Sequence, residues 1–89
     1  MNKREQTTRL TIGAAARRTG VEVHVVQHCV EVGLTNERLT EDDLAELRRV
    51  RRLMSFGVNL PGAEIILRMR HRIQELEAEV AWLNRHLRR

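Results

Sequence analysis

Seven apolar residues, Ile66, Met69, Ile73, Leu76, Val80, Leu83 and Leu87, follow one another at alternating steps of three and four. That spacing is a heptad seam, and it predicts a long helix whose apolar stripe stays aligned with a neighbouring helix. Arg70, Arg72, Glu77 and Glu79 flank the stripe with charges of both signs. The first turns can lie on the chain's own domain. Beyond about Leu76, a body of fewer than about sixty residues has little surface left to cover the seam. Self-association or capture of a partner helix is therefore the expected use of Met69, Ile73, Leu76, Val80, Leu83 and Leu87.

The residues before this helix read as three shorter ones, so the fold class is all-α. Thr11 caps a first helix rich in alanine, and Gly20 supplies the left-handed residue that ends it. The stretch VEVHVVQHCVEVGL at residues 21–34 is ambiguous. Val21, Val23 and Val25 alternate as in a strand, whereas Val23, Val26 and Val30 recur at helical spacing. A helix stopping near Gly33 is expected, because a lone strand would find no partner here. Thr40 to Asp43 has the form of a capping box. Leu44, Leu47, Val50 and Met54 then form the buried stripe of a third helix. Asp42, Asp43 and Glu46 are expected to pair with the Arg48, Arg49, Arg51 and Arg52 cluster, leaving a salt-bridged, solvated face. Gly57 closes that helix. Asn59 caps the last one, with Pro61 in its first turn. The expected organisation is a polar, frayed tail over 1–9, a three-helix domain over 10–56 and a long helix over 57–89.

Several function classes fall away on composition. Trp82 and Phe56 are the only aromatic residues, too few for stacking on single-stranded nucleic acid. Trp82 is expected to pack across the seam or mark a partner contact. No apolar run approaches a membrane span, and a single cysteine suits a reducing, cytoplasmic setting. No phosphate loop or nucleophile–base motif supports an enzyme. His24 and His28 stand four apart beside Cys29, but nearby only Glu31 could add a ligand, so no metal site is expected. Cys29 itself reads as a small core hydrophobe. No cofactor is implied.

The runs LTIGAAARRTGV at 10–21 and EVGL at 31–34 resemble the opening helix-turn-helix of the MerR superfamily, and RLTEDDL at 38–44 resembles the start of its third helix. FGVNLPGAEIIL at 56–67 resembles two branches in particular, the heat-shock repressor (HspR) and the chaperone modulator (CbpM). DNA-reading members carry an arginine followed by aromatic residues in the second helix, where Gln27, His28 and Cys29 stand here. They also carry a basic wing, of which only Thr35 to Leu39 remains. Metal-sensing members place paired cysteines around the dimerisation helix, and this chain has none.

Net charge is +4, yet the segment 21–34 holds Glu22 and Glu31 against no lysine or arginine. Such a helix lacks the commonest major-groove contact and repels the phosphate rows on both sides. The resemblance therefore implies an adaptor that binds the J-domain of a DnaJ-like co-chaperone and restrains its stimulation of Hsp70. Arg17, Arg18, His24, Gln27, His28 and Glu31 form the expected contact face, mildly acidic against the basic helix of a J-domain. The alternative is a DNA-binding regulator of the heat-shock repressor type, with Arg17, Arg18, Lys3, Arg4 and Arg9 reaching phosphates. Either would be a homodimer, and neither leaves room for a small-molecule effector domain.

Overall fold

The structure is a computed structural model that describes residues 10–87. The tail expected over 1–9, with Lys3, Arg4 and Arg9, lies outside the described residues. Among those described, four helices follow in order: α1 (Ile12–Thr19), α2 (Val23–Glu31), α3 (Glu41–Ser55) and α4 (Leu60–Leu87). The single extended pairing is an antiparallel bridge, in which the Leu10 amide donates to the Leu39 carbonyl at 3.2 Å.

Three of the four helices, α1, α3 and α4, start where the sequence supplies a side-chain acceptor. Thr11 accepts from the Ala14 amide at 3.1 Å. Thr40 accepts from the Asp43 amide while Asp43 Oδ2 accepts from the Thr40 amide at 3.0 Å, completing the capping box. Asn59 Oδ1 accepts from the Gly62 amide at 2.8 Å and opens α4. Gly20, at φ 76°, turns the chain from α1 into α2 in a conformation that L side chains rarely adopt.

The core collects Ala15, Val21, Val25, Val26, Cys29, Leu34, Leu39, Leu44, Leu47 and Val50, and α4 adds Ala63 and Leu67. Segment 23–31 is helical, and Cys29 is fully buried as a core residue. Two details differ from the sequence reading. The face that α2 buries is Val25, Val26 and Cys29, and Val23 is exposed. Met54 is also exposed, because Leu53 turns toward the core in its place as α3 ends.

Leu60, Ala63 and Leu67 hold α4 on the body. At 100° per residue this face lies nearly opposite the heptad seam, so the seam points away from the chain's own core. From Arg68 to Leu87 every residue is exposed. No helix among the described residues is long and apolar enough to cross a membrane.

Candidate partner-binding surfaces

The outer face of α2 follows from its packing. Once Val25, Val26 and Cys29 face inward, Val23, His24, Gln27 and Glu31 form the opposite stripe, and all four are exposed. Glu22, at the N-cap, makes no side-chain cap and instead meets His24 Nδ1 at 3.2 Å. The stripe therefore offers two carboxylates, an amide, an imidazole and a valine, and no lysine or arginine.

His28 stands apart from that stripe. Its Nε2 lies 3.2 Å from Glu64 Oε1 on α4, and Arg68 grips Glu64 Oε2 at 3.1 Å. Arg68 also donates to the Val32 carbonyl at 2.6 Å, just past the end of α2. These contacts fasten α2 to α4. The Arg68 guanidinium and then the His28 ring hold the Glu64 carboxyl below the usual range for glutamate. Sequence reading assigned His28 to the open contact face and gave Glu64 and Arg68 no role. The Glu64-to-Arg68 step on α4 carried no sign of a third partner from a distant helix.

Arg17 and Arg18 are exposed on α1, and Arg18 pairs with Glu41 at the start of α3 at 3.1 Å. The salt-bridged face expected on α3 forms only in part. Arg49 pairs with Glu46 at 3.1 Å. Asp43, however, is committed to the cap and to the Asn36 amide at 3.2 Å. Among the described residues, no carboxylate pairs with Arg48, Arg51 or Arg52. No acid stands three or four residues before Arg48, Arg51 or Arg52, so pairing along the helix had only Glu46 with Arg49 to offer. Glu46 is itself buried, with His71 of α4 on its second oxygen, which adds a second link between α3 and α4.

The seam residues Met69, Ile73, Leu76, Val80, Leu83 and Leu87 share one side of α4 and are exposed from 42 to 78%. A stripe this long is unusual on a monomer surface. Trp82 is not on the seam. It points to the other side of α4 and stacks on the His86 ring, with centroids 3.8 Å apart. No group of three or more metal-ligating side chains occurs among the described residues.

With this geometry in view, residues 10–70 match the family described as MerR HTH family regulatory protein. No curated protein and no solved structure matches the chain.

Proposed function

The chain belongs to the MerR helix-turn-helix family, and from that premise we propose that it is a protein-binding adaptor of the chaperone-modulator kind. It docks a DnaJ-like co-chaperone on the outer face of α2 and keeps the J-domain from stimulating Hsp70. The observation that carries this reading is the charge on that face. Glu22 and Glu31 are exposed with no arginine or lysine among them. A basic J-domain helix is drawn to such a surface, and occlusion alone suffices for inhibition. A phosphate-walled groove is repelled by it. The single Leu10–Leu39 bridge that stands where relatives carry a wing supports the same reading.

His24, Gln27 and Glu31 make the central contact, Arg17 and Arg18 flank it, and His28 anchors the helix through Glu64. The active species is a homodimer joined by the α4 seam. Its orientation follows from the flanking charges. When Ile73 of one copy is set opposite Leu76 of the other in an antiparallel pair, Arg72 meets Glu79 and Arg70 meets Glu77, each twice by symmetry. A parallel pair gains only Arg72 with Glu77.

A second reading, a DNA-binding regulator, is favoured by the carboxylate-free Arg48, Arg51 and Arg52. Titration of a labelled J-domain and of labelled duplex DNA, each at low and near-physiological salt, separates the two. The adaptor binds the J-domain, and Glu31→Lys weakens that binding by about tenfold, on the order of 1.4 kcal/mol. Sub-micromolar duplex binding with sequence preference, and none to the J-domain, would reverse the assignment.

A further inference from the structure

The guanidinium groups without carboxylate partners converge on one place. Arg48, Arg51 and Arg52 of α3 face Arg18 of α1 across a groove of about 460 Å³ whose ends are closed by Thr19 and Ser55. Both hydroxyls are committed locally. Thr19 donates to the Ala15 carbonyl at 2.7 Å, and Ser55 donates to the Arg52 carbonyl at 2.6 Å. What the groove presents to a ligand is thus guanidinium alone. Arg51 is also held in place. It lies flat on the α1–α2 turn, where a Cβ at Gly20 would stand 3.0 Å from its Cζ. Gly20 thereby serves two needs, the positive φ and the room for this side chain.

Arg51 also lines a smaller hollow of about 170 Å³, made apolar by Val21, Val25 and Met54 and edged by Glu22 and His24. One guanidinium therefore walls both a cationic trough and an apolar pit. Three ligand chemistries can be compared against this pairing. A duplex presents a rigid, continuous row of phosphates, and the turn that carries Arg51 leads at once into Glu22 and the acidic face of α2. A nucleotide would set its base in the pit, whose walls are mainly aliphatic and whose one ring, His24, is paired with Glu22. A flexible peptide can lay carboxylates along the arginines as bidentate pairs and drop an aliphatic side chain into the pit. The peptide uses both halves and sets an uncharged side chain, rather than an anion, beside Glu22.

We propose that the groove between α1 and α3 docks an acidic segment of a protein partner, with an aliphatic residue set among its carboxylates. The site borders the contact face proposed above and shares Arg18, Glu22 and His24 with it, but not Gln27 or Glu31, so Glu31→Lys tells failure of one from failure of the other. The test is selection of random linear peptides displayed on phage against the immobilised full-length chain, followed by titration of one selected peptide carrying fluorescein. The selected sequences are enriched in aspartate and glutamate around leucine, isoleucine or valine. The labelled peptide binds at least tenfold more weakly to the Arg48→Ser/Arg52→Ser double variant and to Met54→Ser, which removes an apolar wall of the pit without adding charge, with helicity by circular dichroism unchanged. Glu31→Lys leaves it bound. Selection without acidic bias, or binding indifferent to both arginine and Met54 changes, overturns the proposal. So does displacement of the peptide by random-sequence duplex at near-physiological salt, which would assign the groove to nucleic acid.

Discussion

His28 Nε2 stands 3.2 Å from Glu64 Oε1, joining two helices whose contact residues are 36 positions apart in sequence. Arg68 completes the clasp on the other oxygen and on the Val32 carbonyl. The angle at which α2 presents its outer face therefore depends on α4, and α4 in turn carries the seam. The contact face and the seam proposed above are thus linked through this carboxylate.

Acid should open the clasp. The Glu64 carboxyl is held down by Arg68 and then His28, so its stabilising contribution is complete above the ordinary glutamate range and disappears as pH falls below it. Glu64→Gln is expected to lower the urea midpoint at pH 7 and to flatten the loss of stability between neutral and acidic pH. Urea titrations of both proteins at several pH values check this. Parallel curves would show that the clasp contributes nothing.

Cys29 behaves in the opposite sense. Burial, with Glu64 and Glu46 adding, pushes its thiol from 9.0 up to about 11. Stability from the neutral thiol is present below the unfolded value and is lost as pH rises through the folded one. At pH 8 the shift alone cuts the thiolate fraction by about a hundredfold, before access is counted. Alkylation by iodoacetamide should accordingly track unfolding, and rapid labelling of the native chain would contradict the buried assignment.

Leu76→Asp is expected to convert a dimer to a monomer in sedimentation, since it sets a carboxylate in the middle of the seam. Orientation is read by cross-linking under oxidising conditions. Arg72→Cys chains mixed with Glu79→Cys chains should form a mixed disulfide. Leu83→Cys chains that cross-link with themselves would instead establish a parallel pair.

Much of this was open to reading from the chain alone. Helix starts at Thr11, Thr40 and Asn59 are local chemistry: a side-chain acceptor meets an amide three residues on, and no distant residue is consulted. The heptad is likewise a matter of spacing, so the seam was legible; its first residues, Ile66 and Met69, were expected on the domain and instead face outward, because Ala63 and Leu67 take the packing face. The valine-rich segment sat between strand and helix, and its helical state was inferred from the lack of a neighbour to pair with.

What the sequence determined by itself, then, is where the helices begin and stop, which stripe α4 leaves apolar, and the absence of cations on α2. Tertiary structure decided which charges found each other. Asp43 went to its cap, Glu46 took Arg49 and His71, and no carboxylate among the described residues came within reach of Arg48, Arg51 or Arg52. Glu64 reached across to His28, and Gly20 made space for Arg51. Such pairings depend on distances between elements far apart in the chain, and composition carries no information about those distances until the core has set them.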